Sequence, residues 1–362
     1  MQAGAGNSSG SPADARLAAP GRRRTLAAMP RPLRIGFAGA PGCDRPHLSV
    51  DGMTEAGPNL SHWPGNRTPK RFKADLSTGI CLLFARASEA ERDGFLGDAE
   101  AVLNDHYDTD GFLSMLAVAR PEVALAREEL CLAAAATGDY GAWQGRRAFA
   151  VDRIVAHLAA PRSPLAAQFA GLDGPAKSLA RYRWLIDHAE TVLDDPDSLR
   201  GCWQDECDAV LDELARARDG ALQRRVLADF GLSLLWSEVP LRRITLNSLA
   251  GAFRVLHTQQ TAEGPRYRFH DRTESWFEVV SFTPLPRRDL RELATRLNEL
   301  EGSHGGGIGW FADPPDAPIP ELWFGRDTPQ DYGEVTRELA PSRLPPSTVA
   351  AITTTFFAEK HA

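Results

Sequence analysis

The chain has 362 residues, 43% of them hydrophobic and 25% charged, and these values predict a soluble globular protein of two domains. The formal net charge of −7 argues against a nonspecific surface for nucleic acid or anionic membrane, although a local basic patch stays compatible with it. No apolar run reaches the roughly 18 residues of a membrane span. The five cysteines are scattered and odd in number, which favours free thiols in a reducing cytoplasm.

The N-terminal segment has the composition of a disordered tail. Residues 1–32 are rich in Ala, Gly, Ser, Pro and Arg and lack apolar periodicity, and we place the end of the tail at residue 45. "GRRRTLAAMPRPLRI" has the basic start of an export signal, but the apolar run of roughly 7–15 residues that must follow is missing. Met29 is an alternative start of the chain.

Strands and helices alternate in the next segment. "HLSVDGM" (47–53) predicts a strand that leads into a turn, and turn residues dominate "LSHWPGNRTP". "AEAVLND" (99–105) predicts a second strand and "FLSMLAVA" (112–119) a helix. A further helix is predicted over "TGICLLFARASEAER" (78–92), with three candidate N-caps, Asp75, Ser77 and Thr78. This is the α/β arrangement in which loops at the carboxyl ends of strands carry sites.

The remaining chain divides near residue 240. Residues 122–224 are predicted to be mostly helical, followed by a strand at 232–240. Three strand-like runs occupy 252–282, and 287–302 predicts the clearest helix, with one apolar stripe of Leu290, Leu293, Ala294, Leu297 and Leu300. A strand at 320–325 and a terminal helix from 347 complete the pattern. We therefore predict a helix-rich α/β domain with a parallel-type sheet at 46–240, a smaller α+β domain at 241–340 and a C-terminal segment at 341–362.

The segment "NDHYDTDGFLSML" (104–116) crowds acids and a histidine between apolar runs. If it leaves a strand, the alternating residues His106, Asp108 and Asp110 converge at the strand end. Carboxylates and an imidazole suit Mn²⁺ or Mg²⁺, and Gly111 permits a tight turn into a helix whose N-terminus favours an anion such as phosphate. That combination favours metal-dependent phosphoryl chemistry.

Three other interpretations compete with the metal hypothesis. Asp108 or Asp110 would be an N-cap, with the other acids solvated. Asp108 would accept a phosphoryl group with Asp110 as its acid, as in haloacid-dehalogenase-like phosphatases, but His106 and Phe112 depart from that pattern. An EF-hand fails because the twelfth position from His106 is Ala117 rather than Glu.

Asp105–Ser114 resembles the first motif of the DHH phosphoesterase superfamily, a strand ending in an H-x-D-x-D-G-like segment before a helix. The resemblance implies metal ligation by His106, Asp108 and Asp110, and hydrolysis of phosphodiesters or pyrophosphates with two divalent cations, commonly manganese. The superfamily's Asp-His-His motif is absent, and the nearest strings are "DHY" (105–107) and "DH" (187–188). Together with "LSHWPGNRTP" and "ADLST", the segment also resembles an uncharacterised bacterial family without an assigned activity.

Two residues outside this motif are candidates for the catalytic site. Asp139 is a candidate further carboxylate ligand, or a residue that ends a helix in a turn. His62 would complete a metal shell or act as a general acid, or merely hold a turn.

The predicted second domain supplies the candidate substrate-binding residues. "GSHGGGIGW" is a candidate substrate loop through His304, Gly305, Gly306 and Gly307, and is similar to the glycine-rich loop of DHH accessory domains; a flexible linker is the alternative. Arg287 belongs to a locally basic set that suits a phosphate-bearing substrate.

The sequence therefore favours a cytoplasmic metal-dependent phosphohydrolase. The expected substrate is small and phosphorylated or oligonucleotide-like, and nucleic acid stays open as a partner. The alternative is a non-catalytic binding or scaffolding protein that keeps the fold but lacks a complete metal site.

Overall fold

The protein is an α/β structure built on two sheets, as the computed structural model shows. It describes residues 33–161, 163, 165–302, 306–328 and 337–359. The predicted α/β fold class is confirmed, because a parallel sheet with helices is followed by a mixed sheet.

The first sheet has four strands, and every pair in it is parallel. The strands are β1 (Arg34–Phe37), β2 (His47–Val50), β3 (Asn59–Leu60) and β4 (Ala101–Asn104). Their spatial order is β1-β4-β2-β3, so β2 lies between β4 and β3. The carboxyl ends of these three neighbouring strands consequently lie at one edge of the sheet.

Helices enclose this sheet. The first unit contains α1 (Ser77–Ala85), α2 (Glu89–Leu96), α3 (Thr109–Ala119), α4 (Pro121–Leu125), α5 (Glu128–Asp139), α6 (Arg146–Ala159), α7 (Gly174–Asp187), α8 (Ala189–Asp194) and α9 (Gln204–Arg216). α3 is buried along most of its length, as expected for an apolar helix at the centre of a unit. One hydrophobic cluster, drawn from residues 33–214, fills the space between sheet and helices.

The second unit is built on a six-stranded sheet with the order β5-β6-β7-β8-β10-β9, in which only β6 and β7 pair in parallel. Its elements are β5 (Leu222–Leu227), β6 (Leu232–Ser237), α10 (Arg243–Ala250), β7 (Arg254–Thr261), β8 (Gly264–Asp271), α11 (Leu290–Glu301), β9 (Ile308–Ala312), β10 (Glu321–Arg326) and α12 (Pro346–Ala358). A separate hydrophobic cluster lies beneath this sheet. β5 and β6 precede the predicted division near residue 240 but pair within this second sheet.

Four local predictions differ from the structure. The helix predicted over 78–92 is broken, because Ser88 forms a capping box with Glu91 and starts α2. β1 lies inside the segment that was predicted to be a disordered tail. The strand was not predicted because four residues are too few to show the alternation of a strand. The run "SWFEVVSF" is not a strand, and Leu300 is 57% exposed rather than part of the buried stripe of α11.

Within the described residues, none of the helices has the length and apolar character needed to cross a membrane.

Candidate metal centre

The carboxyl ends of β2, β3 and β4 each lead into polar residues. Asp51 directly follows β2, His62 follows β3 by two residues, and Asp105 and His106 directly follow β4. Because the three strands are parallel neighbours, these side chains meet at one edge of the sheet, where α/β proteins carry their sites.

The backbone at Asp51 has an unusual conformation. Its φ of 63° lies in the left-handed region, which residues other than glycine seldom adopt. The next residue, Gly52, has no room for a side chain, since a Cβ there would lie 1.8 Å from Asp105 Oδ1. The turn "VDG" thereby brings the carboxylate of Asp51, which is 1% exposed, between two groups of ligand-type atoms.

The outer group consists of Asp51, His106 and Asp108. His106 Nε2 lies 3.0 Å from Asp51 Oδ2 and 3.1 Å from Asp108 Oδ2, and His106 Nδ1 lies 2.8 Å from Asp105 Oδ1. Burial opposes a charge on the imidazole, but the carboxylates of Asp108 and Asp51 outweigh it and raise the pKa of His106 well above its usual value. Without a cation, the proton on Nε2 therefore satisfies this group, and a cation that bound here would displace that proton.

The inner group surrounds His62 and is almost fully buried. His62 Nε2 lies 3.6 Å from Asp51 Oδ1, 3.7 Å from Asp110 Oδ2 and 3.3 Å from Asp139 Oδ2. His62 Nδ1 lies 2.7 Å from the carbonyl oxygen of Asp75, so Nδ1 carries the proton and donates it there. Burial lowers the pKa of His62, which leaves Nε2 with a lone pair directed at three carboxylates.

Three polar atoms of this inner group have no hydrogen-bond partner outside the group. Asp51 Oδ1, His62 Nε2 and Asp139 Oδ2 are buried and have no hydrogen-bond partner among the described residues. Burial, together with the charges of Asp108 and Asp110, raises the pKa of Asp51 to about 8. Burial and nearby carboxylates likewise raise the pKa of Asp139 well above its usual value. Buried acceptors that face only other acceptors are costly unless a proton or a cation lies between them.

Asp108 and Asp110 also accept hydrogen bonds at the starts of two helices. The capping interpretation is confirmed for Asp108, but Asp110 is buried rather than solvated. Asp108 is the N-cap of α3 and accepts from Gly111 N at 2.8 Å. Asp110 accepts from Ser77 N at 2.8 Å and Thr78 N at 2.7 Å, at the start of α1. The predicted side-chain caps of α1 are wrong, because its N-cap is Leu76, which makes no side-chain cap, and the buried N–H groups of its first turn donate to Asp110.

Two buried residues that sequence analysis did not single out shape the acidic loop. Asn104 Oδ1 accepts from Asp105 N at 2.7 Å, and Tyr182 OH donates to His106 O at 2.9 Å. Gly111 fits beneath them because a Cβ there would lie 2.1 Å from Asn104 Nδ2. Asp51 was also not identified as a site residue by the sequence analysis. The pattern that could have indicated it is an acid followed by a glycine directly after a strand.

A segment of the second unit covers the inner group; we name residues 276–281 the cover segment. Phe277 stacks on the His62 ring at a centroid distance of 3.8 Å, and Glu278 N donates to His62 O at 2.7 Å. The carboxylate of Asp75 accepts from Val280 N at 2.6 Å and from both N and Oγ of Ser281. Backbone N–H groups of the cover segment therefore donate to residues of the first unit, instead of pairing with a neighbouring strand.

The other predicted site residues lie in the second unit. Arg287 donates to Ser275 Oγ at 2.9 Å and to the carbonyl oxygens of Ala317 and Pro318, so its guanidinium holds a loop. Gly306 and Gly307 have φ values of 75° and 72°, just before β9. His304 and Gly305 lie outside the described residues. A substrate role for these residues stays a prediction.

The fold and the cluster define an α/β protein with a candidate two-cation centre at the carboxyl edge of a parallel sheet. A family model matches residues 36–362, and the chain belongs to this family, which is described as a family of unknown function (DUF6687). A search of curated proteins found no match. The description of the family assigns no activity to it, so the resemblance to DHH phosphoesterases stays a prediction.

Proposed function

We propose that the protein is a divalent-metal-dependent phosphohydrolase, with its cations held between the inner and outer groups. The inner group carries the proposal, because the lone pair of His62 Nε2 faces three carboxylate oxygens within 3.3–3.7 Å and none of the described residues outside the group donates to it. Neighbouring ligands on a Mg²⁺-sized ion with bonds of 2.0–2.1 Å are about 3 Å apart, which is close to these separations.

Asp51 would join two cation positions. Its Oδ1 faces His62 and its Oδ2 faces His106, so its two carboxylate oxygens belong to different groups. Both groups are oxygen-rich and contain one imidazole, which favours Mn²⁺ over Mg²⁺. Bound cations would supply activation of water and stabilisation of charge on a phosphoryl group.

Other residues of the chain would orient the two histidine rings, admit the substrate and exclude water. Asp105 orients the His106 ring through its Nδ1, and the Asp75 carbonyl orients the His62 ring in the same way. His106 and Asp108 are 28% and 37% exposed at their side chains, so the outer group is open to a substrate. Phe277 excludes water from the inner group, where Asp139 is placed to hold a proton.

Calorimetric titration of Mn²⁺ into metal-stripped protein tests the proposal. We expect wild type to bind Mn²⁺, and Asp51→Asn and His62→Gln to weaken binding by at least about tenfold, since each removes a ligand. Asp187→Asn removes an exposed carboxylate of α7 and serves as the charge-matched control. Equal heats from wild type and Asp51→Asn would refute the metal centre.

Activity is tested separately with a phosphodiester and with pyrophosphate. Turnover that requires Mn²⁺ and is lost in the Asp108→Ala plus Asp110→Ala variant supports the enzyme. Mn²⁺ binding without turnover of either compound favours the alternative, a non-catalytic binding protein that retains the fold.

The proposed setting is the cytoplasm. All five cysteines are free, and four of them are buried, which suits a reducing compartment. A small phosphorylated or oligonucleotide-like compound is the proposed substrate.

A further inference from the structure

A cavity lies at the junction of the two units, directly beside the inner group. It has a volume of about 80 Å³ and is partly open to solvent. That is room for a few water molecules, so the cavity admits a single group of the size of a phosphate. Its wall includes Asp139, whose Oδ2 lies 3.3 Å from His62 Nε2, so the cavity and the candidate metal centre share a residue.

The opposite wall is basic. Arg243 and Arg272 line the cavity from the second unit, together with the side chains of Asn247 and His270. Arg243 Nη2 donates to Glu321 at 2.7 Å, whereas Arg243 Nε is buried and has no hydrogen-bond partner among the described residues. A buried guanidinium N–H without an acceptor is costly, and an anion in the cavity would provide that acceptor.

The surrounding ion pairs leave positive charge in excess. Arg243, Arg268 and Arg337 all bind Glu321, and Arg337 also binds Asp313, so three guanidinium groups share two carboxylates. Among the described residues, Glu274 is the acid that forms an ion pair with Arg272. Burial, followed by the charges of Arg243, Arg268 and Arg272, lowers the pKa of His270 well below its usual value, as expected in a positive field.

Two features of the first unit would oppose an anion: the carbonyl oxygens at the end of α5 and the carboxyl group of Asp139. The carboxyl end of α5 points carbonyl oxygens toward this region, but Tyr140 O accepts from Asn247 Nδ2 at 3.0 Å and Asp139 O accepts from Thr273 Oγ1. The carboxyl group of Asp139 would be neutralised by a cation in the inner group or by a proton.

We infer that this cavity binds a phosphate group through Arg243 and Arg272. Because Asp139 separates it from the inner group, a substrate whose scissile phosphate lies at the cations would place a second phosphate in the cavity. The substrate class is therefore a compound with two phosphate groups, such as a pyrophosphate or an oligonucleotide with a terminal phosphate. This assignment to a substrate rests on the proposed function; phosphate binding itself does not.

The test is a calorimetric titration of inorganic phosphate into the full-length, metal-stripped protein in EDTA. We expect saturable binding in wild type and at least about tenfold weaker binding in Arg243→Gln, because a charge-assisted hydrogen bond is lost. Arg268→Gln is the matched control, since Arg268 donates to the same Glu321 oxygen at 2.6 Å but is not part of the cavity wall. The Arg268→Gln variant should bind phosphate with an affinity within about threefold of wild type.

The outcomes separate the two proposals. No saturable heat in wild type, or equal weakening in Arg243→Gln and Arg268→Gln, would overturn the phosphate site. If thermal melting shows that Arg243→Gln is unfolded, Arg272→Gln replaces it with the same expectation. Loss of Mn²⁺ binding with intact phosphate binding would refute only the proposed function. In a Mn²⁺-dependent enzyme, Arg243→Gln should raise KM for pyrophosphate more than for a simple phosphodiester.

Discussion

Asp110 uses one carboxylate for two purposes. Its oxygens accept from Ser77 N and Thr78 N at the start of α1, and Oδ2 also faces His62 Nε2. Each carboxylate oxygen has two lone pairs, so a helix cap retains capacity for a further ligand. The capping and metal interpretations of this acid are therefore compatible: the cap is observed, and the cation stays a prediction.

The two caps differ in burial, and this predicts different costs of removal. Asp110→Ala would leave two buried N–H groups without an acceptor, and we expect a loss of about 2–3 kcal/mol in the free energy of unfolding. Asp108→Ala removes a partly exposed N-cap and should cost about 1 kcal/mol. Urea denaturation in EDTA measures both. Equal costs would show that Asp110 contributes no more than an ordinary cap.

At the scale of elements, the acidic loop could be predicted from sequence and its partners could not. A strand, a loop and a helix around His106, Asp108 and Asp110 follow from local patterns, and the structure has all three elements. The inner group depends on the spatial order β4-β2-β3, which brings Asp51 and His62 beside the loop. No local pattern encodes the order of parallel strands, because it is decided by packing across the whole sheet.

The cover segment illustrates the other limit of local prediction. "SWFEVVSF" has the aromatic and β-branched residues of a strand, which is why a strand was expected. Its N–H groups instead bind the carbonyl of His62 and the carboxylate of Asp75. Burial raises the pKa of Asp75, but hydrogen bonds from Ser281 and Val280 outweigh this and bring it below its usual value.

Asp75 is accordingly expected to anchor the cover segment. Asp75→Ala removes the acceptor of two backbone N–H groups and one hydroxyl, and we expect amide exchange in the cover segment to accelerate by about tenfold or more. Hydrogen–deuterium exchange with mass spectrometry measures it peptide by peptide. Asp98→Ala, which changes an exposed acid before β4, is the control. Unchanged exchange in the cover segment would contradict an anchoring role.

At the scale of the whole molecule, buried histidines couple stability to pH. Burial, with a smaller effect of Arg268, lowers the pKa of His257 to about 4, and His257 Nε2 lies 2.7 Å from Ser237 Oγ. The unfolded chain, with a histidine pKa near 6.5, binds more protons between these values. This contribution to stability is therefore present above about pH 6.5 and is lost as the pH falls toward 4.

We expect His257→Gln to reduce the loss of stability on acidification. A shift of this size corresponds to roughly 3 kcal/mol between pH 6.5 and 4. Asp271, whose pKa burial raises to about 6, acts in the opposite direction at acid pH, so the wild type and the variant must be compared at each pH. Urea unfolding at pH 7 and pH 5 provides the comparison, and identical pH dependence would contradict the prediction.

The cover segment also bears on how fast an ion would enter and leave. With Phe277 stacked on His62 and with Val280 and Ser281 bound to Asp75, the described residues cover the inner group on that side, and access from there requires the two units to separate locally. The exchange rate would then be governed by undocking of protein segments rather than by the lability of coordination bonds. If the centre binds a cation as proposed, a purified sample would retain the ion that was captured as the chain folded, and prolonged chelation under mildly destabilising conditions would be needed to remove it.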